Sequence, residues 1–362
     1  MNNILKQLVL LLILSIYSCN ASGDSFIRYY RHIDIEGREP VIGMYEINSE
    51  IAERVNCYRF TYDKEERLSK VEFLKDMKLA ANPFNGVAVI ITEYFNDYEL
   101  RKYQDEQGNS VCTNWGVYRT KRIIDSNKNI VLTINMDSSN NCIRDSNDVA
   151  QYYSMLNESG LPISYCHFDE NGDTLECIYG TFKVKNIYDD KGNIIEAHLY
   201  GKDGILKPDA RFGGSILKGE FDNDGYKIES RICNSQGLLK NTDDEDYAIT
   251  RSKYFANGSL AQISYYKSNE KLVYRVVYNE LGGFIETWMP ISKWIKQDYG
   301  ATGVDLVRHK YKNNEIEEVA YFDIDENPKE RKDTGAAVER YIHNENKEII
   351  GYNLKNEIVF RK

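Results

Sequence analysis

The residues of this chain whose types and spacing could do chemistry are few and scattered. Asp169-Glu170-Asn171-Gly172-Asp173, with Glu176 close behind, puts oxygens at alternate loop positions, Asp169, Asn171 and Asp173. Calcium takes several such oxygens at about 2.3–2.6 Å. The string has Gly at its fourth position and no Glu at its twelfth, so it departs from the helix-loop-helix calcium loop. Asp-x-Asn-Gly is also what a tight hairpin turn requires, and a turn is the expectation. No metal or cofactor is assigned.

The histidines, at 32, 167, 198, 309 and 343, lie far apart and show no metal-binding spacing. Cys166 and His167 are neighbours, and on a strand they point to opposite faces, so they cannot act as nucleophile and base. There is no G-x-S-x-G elbow or phosphate-cradling glycine loop. Besides Cys19 there are six cysteines, Cys57, Cys112, Cys142, Cys166, Cys177 and Cys233. Their pairing stays open, and Cys166 with Cys177 is the first pair to test, across a hairpin at 169–173. Trp288-Met289-Pro290-Ile291-Ser292-Lys293-Trp294, followed by Tyr299, reads as an inserted loop or short helix. Trp288, Trp294 and Tyr299 are its candidate ligand-binding aromatics.

What must position these residues is a repeat. Tyr188-Asp189-Asp190-Lys191-Gly192-Asn193-Ile194-Ile195-Glu196 runs on to Tyr200-Gly201-Lys202-Asp203-Gly204, and the pattern recurs at Phe221, Tyr278 and Tyr311. Fainter copies start at residues 62, 95, 124, 156, 255 and 342, with steps of 29 to 34 except from 255 to 278. Asp-Gly and Gly-Asn supply the positive φ that hairpin turns need. The alternation of Ile195, Ala197 and Leu199 with Glu196, His198 and Tyr200 is the period of a half-buried strand. A lone hairpin is marginal, so neighbours must pair. The expectation is an all-β, elongated, twisted antiparallel array of about ten hairpin repeats of about 32 residues. The array fills 26–362, with end caps at 26–60 and 348–362 and an irregular insertion at 288–304.

Composition agrees. With 28 Tyr, 6 Pro and a net charge of −10, the chain favours strands and turns and is a poor partner for nucleic acid.

The Tyr-Asp-x-x-Gly-Asn-x-x-Glu run at 188–204 resembles the tandem YD-type repeats of bacterial surface and secreted proteins and is similar to MORN-like hairpin repeats. Those resemblances imply sheets, shells or solenoids with a scaffold or binding role, and they carry over no catalytic residues. At the N-terminus, Lys6 precedes the apolar run Leu8–Ile16, which is too short to span a bilayer as a helix. Ile16-Tyr17-Ser18-Cys19 resembles a lipobox, with Tyr17 where a small residue is usual. The resemblance implies a signal peptide at 1–18, lipidation of Cys19 and a short tether at 19–25. Asn20 in place of Asp tilts sorting toward the outer membrane. The functional expectation is a non-catalytic, lipid-anchored cell-envelope protein that binds a protein or glycan. The alternatives are a glycan hydrolase with acidic catalysts near Trp288 and Trp294, and an immunity-type lipoprotein.

Overall fold

The computed structural model describes residues 25–33, 42–125, 130–244, 246–289, 302–343 and 347–362. Within them lie 24 strands in one antiparallel sheet that is not closed into a barrel, and a single helical turn. The expected all-β hairpin array is what the structure shows.

The chain begins with β1 (Phe26–Ile33), β2 (Gly43–Ile47), the helical turn α1 (Ser49–Ala52) and β3 (Cys57–Tyr62). Next come β4 (Leu68–Lys75), β5 (Lys78–Leu79), β6 (Val89–Tyr94), β7 (Glu99–Gln104), β8 (Arg119–Ile124) and β9 (Ile130–Met136). The middle holds β10 (Gln151–Leu156), β11 (Pro162–Phe168), β12 (Lys183–Tyr188), β13 (Ile194–Tyr200), β14 (Ile216–Phe221) and β15 (Lys227–Cys233). It continues through β16 (Ile249–Tyr254), β17 (Leu260–Tyr266), β18 (Leu272–Tyr278) and β19 (Phe284–Trp288). The last strands are β20 (Leu306–Lys312), β21 (Glu315–Phe322), β22 (Val338–Ile342), β23 (Glu348–Tyr352) and β24 (Ile358–Arg361). Each strand pairs with the next, with two exceptions at the start. There β1 lies between β2 and β3, and β6 pairs with β4 while β5 folds back on the end of β4.

In ten hairpins the first strand ends within one residue of a repeat start read from the sequence: Tyr62, Tyr94, Ile124, Leu156, Tyr188, Phe221, Tyr254, Tyr278, Lys312 and Ile342. One turn chemistry explains the regularity. Asp189 N donates to Asn193 O, while Asp189 Oδ1 accepts from Lys191 N at 3.0 Å and Asn193 N at 2.8 Å. The fourth position, Gly192, has φ 88°, which costs glycine little. Asp63, Asp137, Asn157, Asp222, Asn279 and Asp323 repeat this arrangement. The glutamates of the repeat join one hairpin to the next. Glu196 faces Lys218, Glu229 faces Arg251 and Glu286 faces Arg308 directly across paired strands, with ion pairs of 2.8, 2.6 and 3.0 Å. Burial pushes the Glu229 carboxyl up, but the hydrogen bonds from Arg251 and Arg231 outweigh it and hold the group below its ordinary range.

A third turn joins most hairpins, and it was not read from the sequence. After the second turn the chain runs back beside its own strand, as in the bridge Tyr200↔Leu206, and turns again at 209–214. These third turns stack through backbone bonds: Asn114 N to Asn85 O, Ser146 N to Trp115 O, Ile178 N to Asn147 O and Ala210 N to Tyr179 O, at 2.8–3.0 Å. Between β17 and β18 the third turn is missing, and the chain reverses directly at Lys267–Lys271. That omission is why the step from 255 to 278 is short. Trp288 is a correction in position. It is the last residue of β19, paired with Arg275 and Leu306, and not part of a loop or helix. The insertion begins after it, closed at its base by Met289 N to Asp305 O at 2.7 Å.

Burial is split into small clusters along the array, as repeat proteins require. Tyr30, Phe60, Val71, Val87, Ile90, Tyr103 and Val117 form one; Met289, Val304, Val307, Val319 and Tyr321 form another. Ala52 of α1 packs with Val55, Cys57 and Leu74.

The sheet also curls, so that β1 and β2 lie across the tips of later hairpins. Asn193 Nδ2 donates to Tyr45 Oη at 2.6 Å. The His32 Nε2 nitrogen lies 3.0 Å from Asp224 O. Asn56 N donates to Asn257 O at 2.9 Å. Four successive tips, ending at Gly160, Gly192, Gly225 and Gly258, dock along this seam or line the cavity beside it.

Candidate functional site

Curling places strands far apart in sequence around a shared hollow. Its first cavity, of about 780 Å³, lies between the N-terminal strands and hairpins β12–β17. Tyr58, Tyr188, Phe221, Tyr226 and Tyr254 line it, with Arg31 and Lys227 supplying positive charge. Tyr226 and Tyr254 stack with ring centroids 4.7 Å apart, and His32 meets Tyr226 edge-on at 4.7 Å. Burial holds the His32 imidazole below its ordinary pKa.

A second cavity, of about 670 Å³, adjoins it and shares Phe84, Ile194 and Lys227. The third turns line it through Trp115, Asn147, Cys177, Tyr179 and Arg211. Arg211 lies 3.8 Å above the Tyr179 ring and pairs with Asp209 through two bonds of 2.9 Å. Tyr152 Oη donates to Asp145 Oδ2 at 2.5 Å. His167 Nδ1 lies 2.9 Å from Thr181 O, and Cys177 Sγ lies 3.0 Å from Thr181 Oγ1. Burial pushes the Cys177 thiol up, but hydrogen bonds from His167, Thr181 and the Tyr179 backbone bring it down to about 7.

The candidate residues from sequence fall largely elsewhere. Cys19, Trp294 and Tyr299 lie outside the described residues. Trp288 is half-buried on β19 and lines neither cavity. Asp169 Oδ1 accepts from Asn171 N and Asp173 N, both at 2.9 Å, which is the repeat's ordinary turn. Among the described residues no three His, Cys, Asp or Glu side chains gather as a metal site. Asp169→Ala is therefore expected to lower thermal stability slightly, by about 1 kcal/mol, and equally with or without calcium. A calcium-dependent Tm in the parent chain, abolished by the variant, would reverse that assignment. Cys166 and Cys177 are not bridged, and all six described cysteines are free thiols. The reason is geometric: Cys177 sits in the third turn, turned toward Thr181 and His167.

The residues that line the hollow were present in the sequence but not recognised. His167 and Cys177 are ten positions apart in the chain and meet only because the third turn folds back on β11. The signal that could have found them is Asn85-Gly86-Val87, Trp115-Gly116-Val117 and Tyr179-Gly180-Thr181, a second recurring motif at the repeat spacing.

No protein-family model and no curated protein matches the chain. Among solved structures, a chain of the TcdB2-TccC3-TEV crystal structure is similar at 9% identity and a TM-score of 0.33, with 89% of this chain and 16% of that one covered. The Photorhabdus luminescens Tc holotoxin pore is similar at 10% identity and a TM-score of 0.27, over 84% and 19%. A porin-like protein from Bacteroides uniformis is similar at 7% identity and a TM-score of 0.25, over 83% and 94%. The chain thus spans less than a fifth of the two toxin chains, at 16% and 19% of their lengths.

Proposed function

We propose that the chain is a non-catalytic cell-envelope scaffold, tethered to a membrane through lipid on Cys19, whose hollow binds a glycan or a protein segment. The observation that supports binding is the hollow itself. A tyrosine-lined cavity of about 780 Å³ is framed by backbone-bonded strands, so its aromatic faces are held in place before a ligand arrives. Tyrosine presents a large apolar face with a polar tip, which suits sugar rings and extended peptide alike. The tether is supported by the lipobox-like Ile16-Tyr17-Ser18-Cys19. Two or more acyl chains would make that attachment stable.

Two measurements test the halves separately. Cys19→Ala is expected to move the full-length protein from the membrane fraction to the soluble fraction or to leave it uncleaved. Unchanged fractionation would refute the tether. For binding, the full chain is titrated against envelope polysaccharides and cross-linked in intact cells, beside Tyr254→Ala. Loss of retention in the variant is expected, whereas equal retention would remove the hollow as the site.

A further inference from the structure

The repeat places its carboxylates in two settings. Turn aspartates such as Asp189 and Asp222 accept from the amides of their own turns. Strand glutamates such as Glu196 and Glu229 pair across hairpins with Lys218 and Arg251. Next to Glu196 and Lys218 in the register, Ala197 lies opposite Leu217, and both of these apolar residues line the second cavity. Successive side chains on a strand point to opposite faces, so the Glu196–Lys218 pair faces away from the hollow. The inner wall is left with an excess of positive charge. Arg31, Lys75 and Lys227 line the first cavity, and among the described residues no Asp or Glu does, in a chain with 56 acidic and 46 basic residues. Arg31 has one carboxylate within reach, the exposed Asp224 at 3.7 Å. Lys227 lies over the Phe221 ring at 5.6 Å.

The second cavity continues the first. Phe84, Ile194 and Lys227 line both. Beyond them the third turns present Trp115, Asn147, Tyr179 and Arg211 as one row, because each turn is bonded to the next through its backbone. Backbones bonded side by side lie about 4.8 Å apart, so the row alternates rings with an amide and a guanidinium at short intervals. Asp209 is the one carboxylate on this wall among the described residues, and Arg211 neutralises it. Lys218 and Arg231 also reach the wall, with their charges taken up by Glu196 and Glu229. Each cavity, at about 780 and 670 Å³, is in the range for one compact ligand. Joined, they suit a chain of linked units. Ring faces with cations and amides between them match a sugar chain bearing anionic groups. An extended peptide would need an unpaired strand edge, and β12 to β17 are each paired on both sides.

We propose that the hollow binds an acidic oligosaccharide, carboxylated or sulfated, whose chain runs from the first cavity past Lys227 into the second along the row of third turns. The proposal rests on the reading of the hollow as a binding site and adds the charge and the length of its ligand.

The test is calorimetric titration of the full-length chain with dimers and hexamers of galacturonate, alginate and chondroitin sulfate. Each is run beside its uncharged counterpart, carboxyl-reduced and desulfated. An acidic hexamer is expected to bind, its uncharged form about tenfold more weakly, and its dimer more weakly than the hexamer. The affinity should fall as salt rises. Lys75→Gln is expected to weaken acidic binding about fivefold while leaving Tm unchanged. Trp115→Ala should remove the advantage of hexamer over dimer, and the length dependence of the parent chain serves if that variant does not fold. Equal binding of charged and uncharged hexamers, both lost in Tyr254→Ala, would overturn the charge assignment and keep the hollow as a glycan site. Equal affinity for dimer and hexamer would overturn the span across both cavities. Preference for hexaglutamate over every acidic sugar would overturn the proposal in favour of an acidic peptide. If no acidic hexamer binds while envelope polysaccharide is still retained through Tyr254, this proposal fails alone; loss of both removes the hollow as a site.

Discussion

Phe60→Ala is expected to cost about 3–5 kcal/mol, the range for emptying a fully buried aromatic site. Phe60 is 0% exposed and meets Tyr30 edge-on at 4.8 Å, inside the cluster that joins β1, β3, β4 and β6. In an array where each hairpin touches its neighbours, the damage should stay near its source. Hydrogen exchange should therefore accelerate in β1 to β7 while β20 to β23 keep their protection. A global midpoint alone would mislead, because cooperativity in a long array is not guaranteed. Uniform loss of protection along the chain would show that the repeats fold as one unit. Unchanged protection in β1 to β7 would show that these strands are not held by this cluster.

Gly225→Ala is the second large effect, and it isolates the seam. Gly225 has φ 84°, and a Cβ there would lie 2.3 Å from the Tyr45 ring. Gly172 has φ 83° at the equivalent turn position with open space around it. Positive φ costs an L-residue about 1–2 kcal/mol in either place. Only Gly225→Ala must also push Tyr45 away, with its hydrogen bond to Asn193 and its edge contact with His32 at 5.7 Å. The Gly225 variant is expected to be the less stable of the two by at least about 1 kcal/mol and to expose β2 to proteolysis. Gly172→Ala should leave β2 protected. Equal effects in the two variants would mean that the seam adds nothing to stability.

Much of the fold was legible because its information is local. Asp189, Gly192 and Asn193 build a turn from residues within one five-residue window, so spacing alone located ten hairpin turns to within a residue. The alternation around Ile195 likewise marked a strand, although along β13 only Leu199 is buried and the residues on both faces are half-buried. Cross-strand partners such as Glu229 and Arg251 lie on adjoining hairpins, 22 positions apart, and follow from regular pairing. The third turn was not read because Asn82, Thr113, Asp145, Cys177 and Arg331 all open it, which hides the motif from a search by residue identity. Trp288 was misplaced because an insertion beside it broke the rhythm that would have marked β19.

What the chain's residues settle before any folding is therefore the repeating hairpin and its turns, since these depend on backbone preferences and near neighbours. The curl belongs to the tertiary structure. Twist per strand pair is small and accumulates over many pairs, so whether β2 meets Gly192 and Gly225 is a sum that no single window contains. The hollow, its tyrosine lining and the approach of His167 to Cys177 all follow from that sum. The chemistry-bearing residues that spacing singled out serve as turns and strands where they are described. Those the fold assembles, from β1 to the turn at 209–214, were invisible until the sheet curled back toward its first strands.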